Sequence, residues 1–283
     1  VRFWFALPLL VATTYGAELP TYGPHRKLCD LANPRVRESS GIAASRRTPG
    51  VFWTHNDSGD KPRLYAFDTT GADLGAFTLT GAAARDWEDM ASFSRKGKPY
   101  LLVGDVGDND AERSYCTLHL VAEPTINRAD LKRKLPVLRT IRFTYADSPR
   151  NCESLAVCPK TGAVFLVEKT VRPTCGVYAF PWPTDDGPQV ARRVGTIVLP
   201  VATAMDISAD GLRMVILTYA GAVEFARTAE ESWRDALARR PRMLPMPPRK
   251  QGESVCYDAK GQSLFLTSEK RPTPLFLVPA TTP

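Results

Sequence analysis

A motif of two short apolar runs recurs along this chain, and it restricts the fold more than any other feature. The first run opens on a small or acidic pair: SGIAAS from Ser40, EDMASF from Glu88, ESLAVC from Glu153, MDISAD from Met205 and ESVCYD from Glu253. A turn signal and a second apolar run follow each: TPGVFW, GKPYLLV, KTGAVFLV, ADGLRMVIL and AKGQSLFL. The starts are separated by 48, 65, 52 and 48 residues. Spacing of this kind marks a repeat of strands in which no unit buries its apolar face alone, so neighbours must stack. The repeat predicts an all-β domain and sets Ser40, Glu88, Glu153, Met205 and Glu253 in one structural column.

Each repeat accommodates four strands. They fall at 41–45, 51–55, 64–68 and 76–80 in the first, and at 90–93, 100–103, 116–122 and 137–145 in the second. The third has 155–158, 164–168, 176–180 and 194–199; the fourth has 207–209, 214–219, 222–225 and 243–246. The fifth has 255–258, 263–268 and 275–279, and lacks one strand. The segment 25–32, ahead of the first repeat, supplies it. A ring closed by strands from both chain ends leaves no raw sheet edge at the seam. The expected architecture is a five-bladed β-propeller over residues 23–283; the alternative is a six-bladed ring with a degenerate blade inside 111–150. That charged stretch, with NRADLKRK, reads as a loop insertion. Thr228 and Glu231 form a capping box ahead of SWRDALARR, predicting a helix with Arg239 and Arg240 in its last turn.

The N-terminus reads as a secretory leader: Arg2, an apolar stretch over 3–12, and small residues Thr14 and Gly16 before a cleavage point at Ala17. Residues 1–16 are therefore expected to be removed and the protein to be secreted or periplasmic, with no membrane span left. Six cysteines in an exported chain permit disulfides in any of 15 pairings, and Cys158 with Cys175, which bracket one hairpin, is the first guess. The net charge of +7 is scattered over turns, with aromatics mainly on strands. That argues against a nucleic-acid partner and for an anionic small molecule, or an envelope or protein ligand, bound by a monomer.

In a propeller the first strand of every blade starts at the top face beside the axis, so Ser40, Glu88, Glu153 and Glu253 converge. Uncompensated carboxylates repel and raise one another's pKa, and a calcium ion, tolerant of several oxygen ligands, removes the conflict. The alternative is a solvated ring paired with Arg37, Arg85 or Arg150. Behind it, a second column holds Gly41, Asp89, Ser154, Asp206 and Ser254. The loops THNDSGD and GDVGDND open onto the same face, and place Asn56, Asp57, Asp105, Asp108, Lys169 and Lys270 around the rim. A cation, a carboxylate that positions water and cationic phosphate binders are the parts of phosphoryl hydrolysis. In that reading Asp57 or Asp105 is catalytic, and Asn56, Lys169, Lys270, Arg37 and Arg85 bind substrate. His55, beside Asp57, reads as a capped, solvent-facing side chain rather than a base.

Ser40, Glu88, Glu153 and Glu253 together resemble the calcium ring of the secreted five-bladed apyrases, the calcium-activated nucleotidases. The turn Asn56-Asp57-Ser58-Gly59 stands where that family carries DDRTG, without its first Asp and its Arg, and Met205 stands in place of a Ser. The wording ESSGIAAS, THNDSGD, RDWEDMA and GDVGDND also resembles exported, phytase-like bacterial propellers. The resemblance implies a propeller, an exported location and a central calcium. Two functions follow as expectations: a ligand- or protein-binding scaffold at the cell envelope, or a calcium-dependent phosphohydrolase.

Overall fold

The computed structural model describes residues 19–126 and 132–281; the expected leader lies outside them. After β1 (Thr21–Tyr22) and β2 (Arg26–Asp30) come β3 (Ser39–Ala44), β4 (Val51–Asn56), β5 (Arg63–Asp68) and β6 (Asp73–Thr80). A second set comprises β7 (Trp87–Arg95), β8 (Lys98–Asp105), β9 (Cys116–Ala122) and, after β10 (Lys132–Pro136), β11 (Arg139–Tyr145). The third comprises β12 (Cys152–Val157), β13 (Val164–Glu168), β14 (Cys175–Phe180) and β15 (Gln189–Ile197). The fourth is β16 (Ala202–Ile207), β17 (Arg213–Thr218), β18 (Ala222–Ala226), the helix α1 (Trp233–Leu237) and β19 (Arg242–Leu244). The last is β20 (Ser254–Tyr257), β21 (Leu264–Thr267) and β22 (Pro274–Val278), with β23 (Ala280–Thr281) at the end.

Within each set, successive strands pair antiparallel, and β2 completes the last sheet by pairing with β22. The first strands β3, β7, β12, β16 and β20 each contact the next, and β20 returns to β3. Sheets arranged this way around one axis make a β-propeller. Small residues permit the close approach: β3 reads SSGIAA and β16 ATAMDI, and both are buried throughout. Outer strands alternate instead, as in β15, where buried Ala191 and Ile197 are separated by exposed Arg192 and Arg193.

The apolar core is divided into five clusters, each wedged between one sheet and its neighbour. Trp53, Phe77, Trp87 and Leu101 join the first and second sets, and Leu102, Phe143, Leu155 and Leu166 the second and third. Val177, Ile197, Ile207 and Met214 follow, then Val215, Leu217, Val255 and Leu264. Phe52, Phe67, Phe265 and Leu275 close the circle. This last cluster depends on β2, whose Leu28 and Cys29 pack against it. A chain beginning after Asp30 will expose the β22 edge and this cluster together. We expect it to melt more than about 10 °C lower and to self-associate in size-exclusion chromatography; unchanged melting would show that β2 is dispensable.

Four expectations are corrected. The fourth first strand lies at Ala202–Ile207, not at 207–209, because SADG forms the turn: Gly211, at φ +72°, donates to Ser208 O at 2.8 Å. The 111–150 stretch is not a plain loop, since it carries β10, which pairs parallel with β6 as a fifth strand of the first sheet. The helix is capped by Ser232, which accepts from Asp235 N, and it ends at Leu237, so Arg239 lies beyond it and pairs with Glu231. The expected disulfides are not formed. All six cysteines are free thiols, and Cys158 and Cys175 serve as small apolar groups in one cluster. Among the described residues, no helix is long and apolar enough to cross a membrane.

Candidate metal centre

The second column of the repeat holds the hub together. Asp89 accepts from Met90 N at 2.8 Å on its own strand, from Leu155 N at 2.9 Å on β12 and from Met205 N at 3.1 Å on β16. Asp206 likewise accepts from Ile207 N and from Tyr257 N of β20, both at 2.8 Å. Edges of neighbouring first strands cannot pair with one another in this geometry, so the side chains satisfy amides that would otherwise be buried without partners. Burial raises the Asp89 pKa well above the carboxylate range, against these three donors, and raises Asp206 to about 6.

The first column lies next to it. Ser40 donates to Glu88 Oε2 at 3.0 Å. Glu88 meets Asp57, from the turn after β4, and Asp86, from the approach to β7; ligand oxygens of the three lie within 4.8 Å of one another. The backbone makes this possible. Asp57 N donates to Glu38 O at 2.9 Å, and Asp86 O accepts from Val106 N at 3.1 Å and from Gly107 N at 3.2 Å. A Cβ on Gly107 would overlap Asp86 Oδ2 and stand 2.8 Å from Glu88 Oε1, so only glycine lets this loop close over the carboxylates.

Glu153 and Glu253 continue the acidic surface. Glu153 is ion-paired with Lys169, whose Nζ also donates to Tyr219 OH at 3.0 Å. Tyr219 OH in turn donates to Glu253 Oε1 at 2.8 Å, and Gln251 Nε2 reaches the same oxygen at 3.3 Å. Glu269 completes the group through a hydrogen bond with Glu253. Burial, reinforced by neighbouring negative charge, pushes these acids up: Asp57 to about 6, Glu153 to about 7 despite Lys169, and Glu269 to about 9. Glu88 is raised well above its usual range by burial and then by Glu153, Asp57 and Asp86. For Lys169, burial opposes the charge, but Glu153 and Tyr219 outweigh it and raise its pKa.

Other expected site residues are placed differently. Asp105 is ion-paired with Arg113 at 2.8 Å and accepts from Arg85 N and Asp86 N, so it braces the segment that carries Asp86. Asn56 uses its amide in the turn, accepting from Arg37 N and Glu38 N and donating to Arg35 O and Asp60. Arg37, Arg85 and Lys270 have exposed side chains, and Lys270 N donates to Arg37 O at 2.8 Å. Arg150 is occupied by Asp147 and Glu168. His55 is fully buried rather than solvent-facing; its Nδ1 lies 2.9 Å from Asn56 O, and burial pushes its pKa down to about 4. Met205 gives its amide to Asp89 and its side chain to the apolar core. Asp86 and Glu269 are additions to the expected set. Asp86 was accessible through strand alternation, because Asp86 and Glu88 share one side of an extended chain.

Beside Tyr219 the same face opens into an apolar groove of about 350 Å³, lined by Leu199, Val201, Ala222, Val223 and Met243. Val201 sits at φ +57°, a strained region for a β-branched residue, held by its bond to Thr170 O at 2.9 Å. Met243, which lines this groove, is 67% exposed, a large apolar side chain left open to solvent.

No protein-family profile matches the chain, and no curated protein matches it in sequence. Among solved structures it is similar to a propeller in the "Crystal structure of Nidogen/Laminin Complex", with 11% identity and a TM-score of 0.50. The match covers 82% of this chain and 73% of that one. At this identity the likeness is one of fold.

Proposed function

We propose that this chain is an exported five-bladed propeller scaffold whose hub carries a calcium-type cation held by Asp57, Asp86 and Glu88. The observation that carries the reading is the convergence of these three half-buried or buried carboxylates, all with raised pKa values. The donor set fits the ion: oxygens bound to one calcium at 2.3–2.6 Å stand at most about 5 Å apart. Ser40 and the Gly107 loop would support Glu88 and Asp86 from behind, while Glu153 and Glu253 add negative potential. The cation would supply charge neutralisation and tie the β4–β5 turn to β7.

The binding role rests on the apolar groove beside Tyr219, which meets the hub through the Tyr219–Glu253 hydrogen bond. A propeller neighbour found in a protein complex is consistent with a protein partner. Export enters through the leader-like sequence, and extracellular calcium at millimolar levels suits sites of modest affinity. The alternative, a calcium-dependent phosphohydrolase, is less favoured because Asp105 and Asn56 are committed to structure and Lys169 to Glu153.

Calorimetric titration with calcium tests the hub. One ion per chain is expected, with affinity reduced at least about tenfold in Glu88→Gln. Removing one of three crowded charges should also leave the metal-free Glu88→Gln variant melting at or above the parent. Absence of binding to a folded parent protein refutes the metal, and chelator-sensitive turnover of nucleotides or phytate would move the reading to the hydrolase.

A further inference from the structure

The flank of the first sheet presents a second surface, unrelated in chemistry to the acidic hub. Two cavities, of about 410 and 320 Å³, adjoin there and share Arg35 and Arg63 as lining residues. The upper one is completed by Arg37 and the Asn56–Asp60 turn, the lower one by Thr78, Arg133 and Lys134. We propose that this basic groove binds an extended polyanion, a flexible chain bearing phosphate or sulfate groups at intervals.

The tertiary fold assembles the groove from distant segments. Arg63 is in register with Thr78, and Thr78 with Lys134, so one row across β5, β6 and β10 ends in a cation on either side of a hydroxyl. Strands stand about 4.8 Å apart, which puts the two ends of that row roughly 10 Å from one another. β10 is not needed to close the ring; its consequence is to bring Arg133 and Lys134 to this edge. Five cations line the two cavities, against Glu38 and Asp60. Asp60 is already engaged, accepting from Asn56 Nδ2 at 2.8 Å, Tyr65 OH at 2.7 Å and Lys61 N at 2.7 Å, with Arg63 at 3.7 Å. Arg35, Arg37 and Lys134 have no carboxylate partner among the described residues.

Guanidinium forks match tetrahedral oxyanions, and cations distributed along two cavities in series favour a chain of anions over one small ion. The aromatic rings nearby, Tyr65 and Phe77, are buried at 1% exposure, so among the described residues the groove has no platform for stacking bases. That selects a sulfated glycan or a polyphosphate-type chain over a single-stranded nucleic acid.

The test uses the full chain with two labelled probes, a heparin-derived oligosaccharide and a linear polyphosphate of similar charge. Affinity is measured between about 50 and 200 mM salt, where released counterions make each lost contact visible as a reduced salt slope. We expect binding of at least one probe, weakened about tenfold or more in Arg63→Ala/Lys134→Ala, with a slope smaller by about 2. The preferred probe identifies sulfate or phosphate as the ligand group. Arg192→Ala/Arg234→Ala removes the same charge from exposed positions elsewhere and should bind like the parent. Lys134→Ala alone, on an exposed side chain, serves if the double variant fails to fold. Equal weakening by the Arg192/Arg234 control, no binding of either probe, or tighter binding of a single-stranded oligonucleotide of equal length overturns the proposal.

Discussion

Without divalent cation, the melting temperature should fall by about 5–10 °C between about pH 6.5 and pH 8, and millimolar calcium should reduce the fall. Each hub carboxylate with a raised pKa binds its proton more tightly in the folded chain than in the unfolded one. Its stabilising contribution is complete below the ordinary carboxylate range and is lost as pH rises through the folded value. Those values are about 7 for Glu153 and about 9 for Glu269, with Glu88 also raised well above its usual range. A tenfold change in proton affinity between the folded and unfolded chain is about 1.4 kcal/mol, which sets the scale of the fall for the group as a whole. His55 and His119, both lowered by burial, act in the opposite sense but mainly below about pH 6.5, where the unfolded chain gains their protons. A bound cation competes with those protons, so the calcium-induced rise must be larger at the higher pH. Scanning calorimetry in chelator and in calcium decides the matter: a flat profile in chelator, or an equal calcium effect at both pH values, would contradict a charge-sharing hub.

Asp89→Ala should be the most damaging single substitution in the hub, lowering stability by roughly 4 kcal/mol or more. It removes the acceptor for three amides on three strands, and each buried donor left unpaired costs about 1–3 kcal/mol. Asp89→Asn keeps one acceptor oxygen and should lose about half as much. Denaturant titration of both variants measures the difference; an alanine variant within about 1 kcal/mol of the parent would mean that the strands are held by packing alone.

Much of the fold was legible because strand patterning is local. Apolar runs and turn residues marked nearly every strand of the five sets, and the unfilled place in the last set pointed to the N-terminal segment that pairs as β2. β10 was not legible, because KRKLP is polar and gains its place only from the exposed edge of β6. The cysteines misled, since even numbers permit pairing but only the separation of their side chains decides it.

The repeat register by itself set which acids share a column at the starts of the first strands: Glu88, Glu153 and Glu253 in the first, Asp89 and Asp206 in the second. What each acid does was decided by the tertiary structure. Asp57 and Asp86 join Glu88 because a turn and a glycine loop bring backbone from separate segments over it, while Asp105 is taken by Arg113. Side-chain direction follows from alternation along one strand, whereas the partner across a gap, and hence the charge a carboxylate can carry, depends on residues far away in sequence.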